Sequence, residues 1–114
     1  MNITLEDFQK LDIRIGTIIS AEKVENADKL LKLQVDFGVD EETNVPAVRQ
    51  VVSGISEWYT PEELVVKQYP FVFNLEPRTF RGVESQGMLF AVGTENGAVL
   101  LHPDKEVPRG SKTK

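Results

Sequence analysis

Hydrophobic and polar residues alternate with period two over 31–37. Leu31, Leu33, Val35 and Phe37 fall on one side and Lys32, Gln34 and Asp36 on the other, which predicts a strand with one buried face. β-Branched residues dominate 12–24, where Ile13 and Ile15 alternate with Arg14 and the apolar phase then slips to Ile18 and Ile19. Gly16 sits at the slip, so this segment predicts a long strand bulged or sharply coiled at the glycine. Further strands are predicted over 47–55, which ends in a Ser-Gly turn, over 71–77, stopped by Pro77, and over 88–93, with a turn through Asn96-Gly97 into a last strand. Two short helices interrupt them. Thr4 with Asp7 three residues on caps a turn or two over 4–11, where Leu5 and Phe8 share a face. Thr60-Pro61 with Glu63 starts another over 60–64.

The sum is an all-β chain of five or so short strands with a helix between the third and fourth. It points to a five-stranded Greek-key barrel of the OB (oligonucleotide/oligosaccharide-binding) type with short helices. Pattern alone leaves an SH3-like barrel or a small sandwich open. No repeat or internal linker divides 1–114, so one domain is expected, and only the tail from Gly110 looks loose.

Composition narrows the function. A 114-residue chain with 40% apolar residues suits one globular core, and no apolar run approaches a membrane span. The first residues lack a signal-peptide layout and cysteine is absent, which favours a cytoplasmic address. One histidine, His102, and no cysteine exclude a His/Cys metal site, and a lone His before Pro103 reads as a loop residue rather than a catalyst. The acidic run 36–42 lacks the alternating ligand spacing of a calcium loop, and no phosphate-cradling glycine motif precedes a helix. No metal, cofactor or active site is expected.

The formal net charge of −5 argues against nucleic acid unless the cations are gathered on one face. The segment 74–88 is a candidate for such a face. Asn74, Arg78, Arg81, Ser85, Gln86 and Met88 cluster around Gly82 and Gly87. On a barrel this stretch would be a loop at the ligand-binding rim. Glycine backbone admits a close ligand, Ser and Gln suit base edges or a 2′-hydroxyl, Arg pairs with phosphate, and Met lies against a base. Lys29 and Lys32 would flank the groove mouth, with Arg49 and Gln50 reaching in from the third strand. Residue by residue, a plain turn, a wet surface or core packing explains each as well. Phe73 and Phe90 read as core, and Trp58-Tyr59 as packing for the helix or a subunit contact.

The motifs "DIRIGTI", "ADKLLKLQVDFG", "RQVVSGI", "YTPEELVVK", "NLEPRTFRGVESQGM" and "VPRGSK" occur in an order and spacing that resembles the tRNA-binding domain attached to methionyl-tRNA synthetases, as a C-terminal domain or β subunit. Free-standing tRNA-binding proteins, the endothelial monocyte-activating polypeptide type of cofactor and a secretion-related chaperone are similar. The resemblance covers about 6–112. It implies an OB barrel that binds tRNA by shape and backbone, forms a homodimer completed by elements after the barrel, and works beside a synthetase catalytic chain. Carried over, the tRNA-facing positions are Lys29, Arg49, Asn74, Arg81, Ser85 and Met88, with Lys32, Arg78 and Gln86 nearby. Where many relatives have His-Pro before "ADKL", this chain has Glu25 and Asn26. Two alternatives accompany the resemblance: a chaperone accepting unfolded peptide on the same rim, and a pure dimerisation module.

Overall fold

A computed structural model describes all 114 residues. In chain order the elements are α1 (Leu5–Gln9), β1 (Ile13–Val24), β2 (Ala27–Val39), β3 (Pro46–Ser53), α2 (Pro61–Leu64), β4 (Gln68–Val72), β5 (Arg78–Phe80), β6 (Val83–Ser85), β7 (Met88–Leu89), β8 (Ala91–Thr94) and β9 (Gly97–Leu100). Five strands form one antiparallel sheet in the order β3-β2-β1-β4-β7, curled into the OB-type barrel. β1 is its spine: its first half pairs with β4 and its second half with β2. The open seam between β3 and the β6–β7 segment is bridged by single bonds. The Gln86 amide donates to the Gln50 carbonyl (2.7 Å), and the Val52 amide donates to Ser85 Oγ (2.9 Å).

The alternation in β2 works as the sequence implies, since Leu31, Leu33, Val35 and Phe37 are all buried. Across the barrel they meet Ile18, Val51, Phe71 and Phe73, with Phe37 edge-on to Phe71 and Phe73 at ring separations of 5.4 and 4.9 Å. Both helices carry the expected capping boxes, at Thr4/Asp7 and Thr60/Glu63. α2 buries Leu64 completely in the core.

Three expectations change. The bulge in β1 lies at Ile19, not Gly16, because the pairing jumps from Ile18↔Val35 to Ser20↔Gln34. The inward phase is therefore Arg14, Gly16, Ile18, and then Ala21 after the bulge. A Cβ on Gly16 would run into the side chains of Val35 and Phe37, so this glycine serves close packing across the barrel. Second, the strand expected over 71–77 runs from Gln68 to Val72. Asn74 ends it by turning the chain: its Oδ1 accepts from the Asp12 amide (2.9 Å) and its Nδ2 donates to the Lys10 carbonyl (2.8 Å). The strand over 88–93 likewise divides at Phe90, where the chain leaves β4 for β9.

Third, the tail is not loose. The Ile15 amide donates to the Ser111 carbonyl (2.9 Å), the Gly110 amide to the Ile15 carbonyl (2.7 Å) and the Thr113 amide to the Ile13 carbonyl (2.9 Å). The tail thus extends the sheet beside the first half of β1, where β2 has peeled away. Arg109 fastens it to Asp36 (2.6 Å). No helix is long and apolar enough to cross a membrane.

Candidate nucleic-acid interface

Arg49 pairs across the β3–β2 ladder with buried Val35, so it points toward the barrel interior at one end. Arg14 pairs with buried Phe71 and points the same way from β1. Between them lies the ring of Phe73. The Arg14 guanidinium carbon is 3.8 Å from the ring centroid and that of Arg49 is 3.5 Å from it. Cation–π attraction holds both contacts. The two arginines differ in their partners. Arg14 makes a two-pronged bond to Asp12, Nε to Oδ1 at 3.0 Å and Nη2 to Oδ2 at 2.8 Å, which raises its already high pKa against the pull of desolvation. Arg49 donates Nη1 to the Phe73 carbonyl and has no carboxylate within salt-bridge distance. Burial, reinforced by the charge of Arg14, pushes its pKa down. Asp12 and Asp40 offset this only in part. A half-buried cation without a counter-ion, at the open end of an OB-type barrel, is arranged to receive an anion.

The segment 74–88, expected as a loop, is largely a second hairpin. β5 and β6 pair Phe80 with Val83 across a two-residue turn in which Arg81 (φ 51°) and Gly82 (φ 82°) are both left-handed. That is the type I′ geometry that suits a twisted hairpin. Arg81 is exposed at its tip, and Arg78 stacks on Phe80 at 5.1 Å; neither has a salt-bridge partner. Glutamines lash this hairpin to β3. Gln50 Nε2 donates to the Glu84 carbonyl (2.7 Å), Gln34 Nε2 donates to Gln50 Oε1 (3.0 Å), and the Gln50 amide donates to Gln86 Oε1 (3.0 Å). The hairpin that carries Arg78 and Arg81 is thus tied to β3 at Gln50, the residue after Arg49.

The other sequence candidates have different employment. Ser85 is 2% exposed, and its hydroxyl accepts from Val52 and donates to the Gly87 carbonyl (3.0 Å). It closes the seam, with its hydroxyl engaged by two backbone partners. Gln86 Oε1 accepts from the Gln50 amide as a staple, and Asn74 serves as a turn clamp. Gly87 packs on the Val72 carbonyl, while Gly82 faces open space. Met88 is half-exposed on β7. Lys32 is bound to Glu22 at 2.6 Å, and Lys29 lies 3.8 Å from Glu57. Lys29 is six residues from Val35, the partner of Arg49, and so about 20 Å along the strand. Lys29 therefore lies well away from Arg49, while Lys32, three residues from Val35, is engaged by Glu22.

The acidic loop after β2 lies beside the mouth. A cavity of about 360 Å³ is lined by Arg14, Phe37 and Lys112 together with Asp40, Glu41 and Glu42. Asp40 accepts from the Glu42 and Thr43 amides, and these bonds hold its carboxyl below the usual range. His102 is exposed, and no group of three or more His, Asp or Glu side chains converges.

Sequence reasoning missed Arg14, Asp12 and the ring role of Phe73. Arg14 shares the phase of Gly16 and Ile18, which was the available signal; the isoleucines flanking it concealed that.

The fold is that of the OB-type barrels, which bind oligonucleotides or oligosaccharides. The family model for a putative tRNA-binding domain matches residues 13–112, and the chain belongs to that family. It is 53% identical over 110 residues to a methionine–tRNA ligase of Methanocorpusculum labreanum, covering 96% of this chain and 15% of the ligase. The figures for the Archaeoglobus fulgidus ligase are 53% identity, 96% and 16%. The chain thus spans about a sixth of these relatives. Among solved structures it resembles a MetRS-related protein from Pyrococcus horikoshii (39% identity, TM-score 0.88, covering 100% of this chain and 99% of that one). It also resembles the chaperone CsaA of Bacillus anthracis (31% identity, TM-score 0.85, covering all of both chains).

Proposed function

We propose that this chain is a non-catalytic module that grips tRNA by backbone and shape along the Arg49/Arg78/Arg81 edge and serves a methionyl-tRNA synthetase chain in the cytoplasm. The observation that carries this is the unequal use of cations. In a chain of net charge −5, Lys29 and Lys32 lie beside Glu57 and Glu22, whereas Arg49, Arg78 and Arg81 have no carboxylate within salt-bridge distance. Titrating labelled tRNA across a salt series tests it. Three phosphate contacts give a log–log salt slope of about −2 to −3. Arg81→Asn keeps the left-handed backbone that Asn tolerates, so it removes charge without strain. It is expected to flatten the slope by roughly 1 and weaken binding about 5- to 10-fold. Absence of binding at low salt refutes the reading.

The functional unit is a homodimer. Its motive is the apolar surface of the N-terminal segment, where Ile3, Leu5, Phe8 and Leu11 are exposed, together with Val92, Val99 and Leu101 around the β8–β9 hairpin. Patches of this kind mark interfaces, and a dimer doubles the binding edges. Sedimentation is expected to show a dimer that Phe8→Asp converts to monomer; a native monomer at micromolar concentration overturns this.

The likeness to a protein named as a chaperone supports a second reading, in which the same rim accepts unfolded polypeptide. Its mark is slowed aggregation of a denatured protein and competition of that protein with tRNA.

A further inference from the structure

We infer that Arg14 is a positioning residue: with Asp12 it clamps Phe73 so that Arg49 is held, pre-oriented, toward an incoming phosphate. This rests on the tRNA reading of the Arg49 edge and adds a residue to it.

The argument starts from a cation facing the core. A paired, nearly buried arginine is weak grounds for stability, because an apolar side chain of similar volume packs as well or better. Arg14 has a side-chain exposure of only 12% and commits two donors to Asp12. Together they form a neutral unit with little to offer a ligand. What Arg14 does contribute is its flat face against one side of the Phe73 ring, opposite Arg49. The backbone completes the clamp. The Phe73 amide donates to the Asp12 carbonyl (2.7 Å), and Asn74 holds the Asp12 amide and the Lys10 carbonyl. The 10–14 segment and Phe73-Asn74 therefore behave as one block.

Arg49 is fixed to that block twice, by its bond to the Phe73 carbonyl and by its stack on the ring. Its long side chain otherwise samples many rotamers, and ordering them on binding weakens affinity. Removing Arg14 uncovers the far ring face, frees Phe73 to turn, and lets Arg49 lose its bearing. Lysine is a poor substitute, since it has neither the fork for Asp12 nor the planar face for the ring.

The test pairs two readouts in Arg14→Gln and Arg14→Lys, each checked for cooperative melting. The first is the NMR signal of Arg49 Nε–H, displaced upfield in the wild type by the Phe73 ring and expected to move toward its random-coil position in both variants. The second is tRNA affinity across salt, expected to fall about tenfold in both with the slope unchanged, because no phosphate contact is lost. If Arg14→Gln fails to fold, Arg14→Lys carries the same two measurements. A wild-type Arg49 signal together with wild-type affinity overturns the inference. A slope flattened by about 1 also overturns it, because Arg14 would then itself contact phosphate. If the wild type binds no tRNA, the tRNA reading fails and the Arg49 signal alone decides whether Arg14 positions it.

Discussion

Arg49→Gln is expected to weaken tRNA binding by about 10- to 100-fold while leaving the melting temperature unchanged or slightly raised. The first half follows from what Arg49 is free to do. A hydrogen bond between charged partners contributes about 1.5–3 kcal/mol, and the Arg49 donors other than the one bonded to the Phe73 carbonyl have no partner. The second half follows from its cost. Burial and the neighbouring Arg14 both disfavour the charge, as the lowered pKa records. No acid is left stranded when it goes, since Arg49 makes no salt bridge and its one hydrogen bond is to the Phe73 carbonyl. Loss of binding with retained stability marks a residue kept for a ligand. Fluorescence titration and calorimetry on the same samples check both halves, and a drop of 10 °C with normal affinity would reverse the assignment.

Phe73→Ala is expected to damage both properties. The ring is 6% exposed and packs edge-on against Phe37. Emptying such a site costs about 3–5 kcal/mol, and here both guanidinium stacks are lost as well. In a domain of this size the melting temperature falls by roughly 15–20 °C, at fixed protein concentration so that any dimer contributes equally. At a temperature where the variant remains folded, tRNA affinity falls with it, because Arg49 has lost its seat. Phe73→Leu separates the two effects. It keeps most of the apolar volume and none of the π face, so stability is largely recovered while affinity is not. Recovery of both by leucine would show that the stack contributes nothing to binding.

These two variants bear on how an acidic protein holds an anion. The overall charge is set by exposed carboxylates on the 36–42 loop and around α2, which water screens within about 10 Å at ordinary salt. The local field at the mouth is set by which cations have partners. Lys10, Lys29, Lys32, Arg14 and Arg109 have them, and Arg49, Arg78 and Arg81 do not, nor do five lysines that include Lys112. The salt dependence therefore reports the cations that contact phosphate and not the net charge.

What the residues determined by themselves was local. The strict alternation of 31–37 specified β2 and its buried face, the Thr-x-x-acid boxes placed both helices, and Asn96-Gly97 marked the β8–β9 turn, because each signal is complete within a few neighbouring residues. The order of six motifs further indicated the tRNA-binding-domain family. Tertiary structure alone decided the phase of β1, since which of Ile13, Arg14 and Ile15 faces inward depends on Val35, Phe37 and Phe71 from other strands. It alone decided that Ser85, Gln86 and Asn74 are engaged by the barrel, since, apart from the local Ser85–Gly87 bond, their side-chain partners lie 33 to 64 positions away in the chain. And it alone sorted the cations, because a lysine and an unpaired arginine read alike in sequence until a folded chain brings a carboxylate to one and withholds it from the other.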